Sequence, residues 1–462
     1  MKAETTWSKE RYRPAVHGDD DIYICRVVPA PHEIRLFWKF DHEAVFEVRW
    51  RKKGETTAWD VQRVSTFFAL ISNLPEGIDY EFYVSSDTAS SSVGYARTGW
   101  VPGIVVNYLH PEDLKYAFSG HHLCSPCLLK HPDGYLLASM DLYEGKAPQN
   151  LTLIFRSDDQ GETWYHYSEL FPCFWGSLFI HRGDVYMLGV STEYGDILIG
   201  KSLDGGKTFG MPTVLFRGSC HCAVPGWHRA PMPIIEAYGQ IWTGIDYGSH
   251  ASGTHANCLL SADANMDILT PNAWTMSAPL TYDPGWNGAV CGDNRGFIEG
   301  NAVLLPDGRV GNILRYFTDK GIPPYGLVPI LCGNTKCPEK KLKFEAFAEF
   351  PGNLSKFHIL QDPIGKRYYS IASRVYDSEK TYCRNLLSLL VSDDLLHWDV
   401  VCDLLDYRHQ EDRTIGFQYV SFIFDGDDIL FLSRTAFNGA QSYHDNNYVT
   451  FHRIQNFRRQ FL

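Results

Sequence analysis

Glu299 and Arg315 stand on either side of the dipeptide Asp307-Gly308, 16 positions apart. Asp-Gly between apolar runs is a hairpin signal, and a hairpin of this length can return both side chains to one mouth. A carboxylate there can support a reacting group, and a guanidinium can grip an anion through two parallel hydrogen bonds. The same pair would also serve as a salt bridge on a surface hairpin. Further along, Ser119-Gly120-His121-His122 leads into the apolar stretch that begins at Leu123. An imidazole titrates near neutrality, which makes His122 a candidate general acid or base, with His228 the next. Arg229, Arg315, Arg374 and Arg434 hold comparable places in successive strand-rich units, and four such arginines in an acidic chain point to a carboxylate ligand. Trp175 offers a ring that would stack on a sugar or fill a core equally well. Cys124-x-x-Cys127 beside the two histidines, and Cys220-His221-Cys222, contain zinc-ligand types. Neither forms a paired framework, so both are read as packed thiols, with no metal and no cofactor expected.

Something must position these residues, and the chain repeats. Ser157-Asp158-Asp159-Gln160-Gly161-Glu162-Thr163-Trp164 returns 45 residues later as Ser202-Leu203-Asp204-Gly205-Gly206-Lys207-Thr208-Phe209. Each reads as the turn of a β-hairpin, where Gly supplies the permissive backbone and Ser and Asp bond turn amides. Ser392-Asp393-Asp394 with Trp398 resembles a third copy, and Ser261-Ala262-Asp263 with Trp274 a stretched fourth. The spacing predicts six strand-rich units, running 125–164, 175–209, 228–274, 297–350, 357–398 and 417–451, each of four strands, as in the blades of a propeller. Val105–Tyr108 and Tyr448–His452 are expected to pair and close the ring, which removes exposed edges.

Residues 1–20 are polar and read as a loosely held arm. Residues 21–102 alternate as short strands, with Trp38 and Tyr80 as inward aromatics, and Pro102-Gly103 marks the boundary to the unit spanning 103–462.

The net charge of −12, without a basic run, argues against nucleic acid or an anionic membrane as partner. The N-terminal residues carry no apolar signal segment, and no apolar run is long enough to cross a bilayer. Twelve scattered cysteines suit a reducing compartment, so the chain is expected to be soluble and cytoplasmic unless a leader was removed.

The repeated Ser-x-Asp-x-Gly-x-Thr-Trp pattern resembles the Asp-box of the sialidase superfamily, and residues 21–102 resemble a fibronectin type III sandwich. The resemblance implies an all-β chain: a six-bladed sialidase-like β-propeller preceded by that sandwich, which would brace it. It also implies roles. Glu299 would support a nucleophilic tyrosine, for which Tyr419 stands in the matching place beside Gln418, and Arg315 would clamp a substrate carboxylate. One family arginine is missing, because Cys124-Ser125 stand where Arg-Ile is expected before Pro126. The usual acid/base aspartate has only Asp141 as a counterpart.

The first reading is therefore an exo-acting glycoside hydrolase acting on an oligosaccharide that carries a carboxylate. A second is a lyase of the rhamnose-glucuronate type, in which His122 or Tyr419 removes the proton beside a uronate. A third is a glycan-binding propeller without chemistry.

Overall fold

The computed structural model describes residues 7, 22–219, 224–251, 253, 255–290, 292–410 and 412–460. It is nearly all β, built of many antiparallel sheets, an arrangement consistent with a β-propeller. Cys220-His221-Cys222 lies outside the described residues.

Two sheets come first. Strands Tyr23–Ala30, Glu33–Lys39 and Phe68–Ser72 form one, and Asp60–Val64, Phe46–Lys52, Asp79–Ser85 and Gly94–Arg97 form the other. Alternation along the chain decides which side faces in: Ile34, Leu36 and Trp38 are buried while Arg35 faces out, as a period of two requires. Trp38 and Tyr80 both lie in the shared core with Phe46 and Phe82.

Six sheets follow. The first runs through His122–Lys130, Leu136–Tyr143, Thr152–Ser157 and Tyr165–Leu170, and the second through Phe174–His181, Asp184–Val190, Ile197–Ser202 and Thr213–Phe216. The third is built on Gln240–Gly248 and Ala256–Asp263, flanked by short strands that include Gly226–His228. The fourth comprises Ile298–Leu304, Val310–Arg315, Leu327–Cys332 and Lys343–Glu349, and the fifth His358–Gln361, Tyr368–Ser373, Leu386–Ser392 and Asp399–Asp406. In the sixth, Gly416–Asp425, Asp428–Ala436 and Tyr448–Ile454 are joined by Ile104–Tyr108 from the start of the unit, with Tyr108 opposite Tyr448. That pairing joins the start of this unit to its last sheet.

The repeated turns have a common geometry. Ser157 Oγ donates to Asp159 Oδ1 at 2.8 Å and accepts from Gly161 N at 2.8 Å. Ser202, Asp204 and Gly206 repeat both bonds at the same lengths. Trp164 Nε1 then donates to Gly161 O at 3.0 Å, which pins the return strand to the turn. The stretched copy differs: Trp274 Nε1 reaches Ile268 O instead, at 2.8 Å.

Hydrogen bonds join the leading sheets to the residues that follow them. Arg26 donates to the carbonyls of Val106 and Val105 at 2.8 and 2.7 Å, and Tyr23 and Tyr116 share a hydroxyl contact of 2.6 Å.

Trp7, the residue of the expected loose arm that the structure describes, is seated. Trp7 is 1% exposed, donates from Nε1 to Pro172 O at 2.8 Å, and packs among Leu137, Cys173, Met187 and Phe209. Its indole lies directly over Gly200, where an added Cβ would meet it at 2.5 Å. Trp7→Ala is therefore expected to cost about 3–5 kcal/mol. The check is a urea midpoint lowered at unchanged slope; an unmoved midpoint would contradict this seating.

Candidate active site

Four inner strands break their ladders in the same way. Ser125-Pro126 lies opposite Met140, Trp175-Gly176 opposite Gly189, Glu299-Gly300 opposite Leu314, and Tyr419-Val420 opposite Ser433. In each bulge the leading residue has left-handed φ: 50° at Ser125, 51° at Trp175, 59° at Glu299 and 52° at Tyr419. Such a conformation costs a non-glycine residue about 1–3 kcal/mol, and it persists only where surrounding structure enforces it. A bulge re-aims its side chain.

Buried polar side chains supply the enforcement. Asp141 Oδ2 accepts from Trp175 N and Asp246 Oδ2 from Glu299 N, both at 2.8 Å. Arg229 Nη1 donates to Trp175 O at 3.0 Å, and Lys356 Nζ to Val420 O at 2.8 Å. Bulged amides lack ladder partners, and buried backbone groups need some partner.

At the centre, Tyr419 Oη donates to Glu299 Oε1 at 2.8 Å. Arg315 Nη1 lies 3.0 Å from Glu299 Oε2 and 3.1 Å from Tyr419 Oη, while its Nη2 donates to Leu354 O at 2.9 Å. Glu299 and Arg315 are 3% and 6% exposed, and Tyr419 is partly buried. Burial alone would push the Glu299 carboxyl up, but Arg315, His228 and Tyr419 together hold it below the usual carboxylate range. Burial, and then Glu299, raise the Tyr419 phenol, while Arg315, Arg384 and Arg434 pull it back. The result is a neutral phenol hydrogen-bonded to a charged carboxylate.

Two further arginines face Tyr419. Arg434 lies 5.0 Å from the ring centre and is held by Asn446 Oδ1 at 2.6 Å and His444 O at 2.5 Å. Arg384 donates to Gln418 Oε1, and Gln418 Nε2 donates to Tyr443 O at 2.6 Å. Burial and the neighbouring Arg315 bring Arg384 down to about 10. Three guanidiniums thus converge with one carboxylate about a single phenol, an excess of positive charge suited to an anion.

Two expected substrate arginines are elsewhere. Arg374 is spent on Ser388 Oγ at 3.1 Å and Asp403 Oδ1 at 2.7 Å, on the third and fourth strands of the fifth sheet. Arg229, 1% exposed, bonds Trp175 O, Leu188 O and Ser177 Oγ, so it clamps a bulge. Asp141 is likewise a strut: burial pushes it to about 8, but Thr152 Oγ1 occupies one oxygen and Trp175 N the other. Sequence reading missed Arg384. It lies in a loop, outside the strands where ligand residues were sought, and reaches Gln418 and Tyr419 because its backbone bridges Gly416 in parallel.

Three histidines cluster near Glu299. His228 Nδ1 bonds Asp246 Oδ2 at 3.0 Å, and its ring meets Trp175 at 4.4 Å and Tyr194 at 5.9 Å. His250 and His255 complete this cluster, and burial followed by the charge of His228 holds them at about 4 and about 2. His122 pairs with Tyr143 in the first sheet, its Nδ1 buried without a partner among the described residues. Burial lowers it, with Asp445 opposing and Arg434 adding to the effect.

A separate cavity of about 700 Å³ lies between the first two sheets, lined by Tyr135, Arg156, Asp158, Ser202 and Asp204, and Tyr419 is not part of its lining.

No family model and no curated protein matches the sequence. Solved structures do match the fold. The α-L-arabinanase of Penicillium chrysogenum complexed with arabinobiose superposes with a TM-score of 0.52 at 14% identity, covering 78% of this chain and 99% of that one. The α-L-arabinofuranosidase of Fusarium graminearum with arabinobiose gives 0.51 at 14%, covering 77% and 98%. A Hadza microbial sialidase gives 0.54 at 11%, covering 95% and 98%. What this chain shares with these three proteins is the fold.

Proposed function

We propose that the chain is an exo-acting glycoside hydrolase that releases a terminal sugar carrying a carboxylate. Its six sheets serve as the blades of a sialidase-like propeller, and the leading sheets as a fibronectin type III-like brace. The observation that carries the reading is the Tyr419 hydroxyl donating to Glu299 at 2.8 Å with Arg315 within 3.1 Å of it. Tyr419 Oη attacks the anomeric carbon and passes its proton to Glu299 Oε1, while Arg315 stabilises the developing phenolate charge. A neutral nucleophile suits a sugar whose own carboxylate would repel an anionic one. Arg434 and Arg384, together with Arg315, form the carboxylate pocket, with Gln418 orienting Arg384 and Trp175 offering an apolar wall. That the fold is shared with proteins named arabinanase, arabinofuranosidase and sialidase supports a glycosidase.

The test is product analysis in ¹⁸O-labelled water. Hydrolysis places one labelled oxygen on the released sugar, with retained anomeric configuration. A product absorbing in the ultraviolet through a new conjugated double bond, without label, would instead support the lyase reading with His122 as base.

A further inference from the structure

Displacement by Tyr419 leaves a second proton unassigned. The departing glycosidic oxygen must be protonated from another part of the mouth, and the water that later frees the sugar must lose a proton there. We infer that Glu193, on the loop Ser191–Asp196 of the second sheet, is this general acid and base, an assignment that rests on the hydrolase reading above.

The ring order places it. Glu299, Arg384 and Tyr419 come from the fourth, fifth and sixth sheets; each sheet touches the next, and the sixth sheet touches the first, which sets the second sheet across from the fifth. Neighbours connect the two arcs. Glu193 feels the charge of His228, whose partner Asp246 holds the Glu299 amide. On its other side it neighbours Tyr143, whose ring lies 5.5 Å from Arg434, which in turn lies 5.0 Å from the Tyr419 ring.

The loop is built to hold this carboxyl. Thr192 Oγ1 donates to Pro148 O, and Tyr194 is fully buried against Trp175 and His228. Gln149, 2% exposed and itself in left-handed φ at 51°, donates from Nε2 to Glu193 Oε2 at 2.9 Å. Glu193 Oε1 accepts no hydrogen bond among the described residues, and the side chain is partly exposed.

Four other acids near these groups already hold partners. Asp141 and Asp246 are fully buried struts, Asp445 bonds His444 at 2.8 Å, and Glu144 bonds His121 at 2.5 Å. Burial raises Glu193 above its ordinary value, with His228 and Gln149 opposing, and Tyr143 and Cys124 are its remaining titratable neighbours. Glu299 is held low and Glu193 high, so one is charged and the other still carries its proton over a common pH range.

The steps balance. As the bond from anomeric carbon to leaving oxygen breaks, Glu193 gives its proton to that oxygen, and Tyr419 bonds the carbon with its own proton on Glu299. Water then attacks the same carbon, its proton passes to Glu193, and Tyr419 leaves and is reprotonated from Glu299. The net change is addition of one water across the glycosidic bond.

The experiment uses the full chain, wild type and Glu193→Gln, which keeps an acceptor for Gln149. The probes are 4-methylumbelliferyl and methyl glycosides of N-acetylneuraminic acid and of glucuronic acid. The umbelliferyl anion leaves without protonation and the methoxide does not. For Glu193→Gln, kcat/KM on the methyl glycoside should fall about 10²–10⁴-fold and on the aryl glycoside only a few-fold. The basic limb of the pH profile should vanish, and added azide should speed aryl turnover with a glycosyl azide as product. Equal losses on both leaving groups, with the basic limb intact, would overturn the role of Glu193 alone. A wild type silent on every probe would overturn the hydrolase reading and this assignment with it.

Discussion

Tyr419→Phe should lower kcat by about 10³–10⁶-fold, the range that removal of a covalent nucleophile produces. KM should change little, because the ring that Arg434 faces at 5.0 Å is retained. Glu299 would lose its phenol donor but keep Arg315 at 3.0 Å, so the fold should lose only about 1–3 kcal/mol. Steady-state rates and urea melts measured on the same preparation separate these effects. A variant that melts as expected and still turns over within tenfold of wild type would remove Tyr419 from the chemistry.

The second large effect is on Arg315. Arg315→Met is expected to lower kcat/KM by about 10²–10³-fold, as for one preorganised charge-stabilising donor. It should also cost about 3–5 kcal/mol of stability near neutral pH, since the 3%-exposed Glu299 loses the guanidinium bonded to it. In the wild type the Glu299 carboxyl lies below its ordinary value, so its contribution to stability is present above the ordinary pKa and fades as pH falls through the depressed one. Without Arg315, burial dominates and the carboxyl lies above its ordinary value, so the penalty grows as pH rises. The stability gap between variant and wild type should therefore be wider at pH 7.5 than at pH 4.5, by urea unfolding. A gap that is constant with pH would mean that Arg315 does not hold Glu299 ionised.

How much of this could be read in advance depends on how local each signal is. The hairpin Ile298–Arg315 is local: Asp307-Gly308 sets its turn, Ile298 pairs with Arg315, and Glu299 follows in the bulge. The repeated turns at Ser157 and Ser202 are equally local, because Ser, Asp and Gly bond one another within four residues. Arg384 and Glu193 are different. Each sits on a loop whose position comes from docking onto another sheet, Arg384 by its bridge to Gly416 and Glu193 through Pro148 and Gln149. No sequence period marks such loops. Arg229 and Arg374 mislead for the converse reason, since residue type and strand position do not say whether a guanidinium faces the mouth, a neighbouring carbonyl or an adjacent strand. Trp7 shows the same limit, because a polar arm can carry one aromatic that belongs to a distant core.

The central claim is that Tyr419 forms a bond to the sugar. A fluorinated glycosyl fluoride of a carboxylated sugar forms its covalent adduct readily and releases it slowly, so incubation with the full chain followed by intact-mass measurement and peptide mapping reads the attachment point directly. The account predicts a single added sugar on the peptide containing Tyr419, absent in Tyr419→Phe. An adduct on Glu299 or Glu193, or turnover of the parent glycoside with no adduct at any residue, would contradict it.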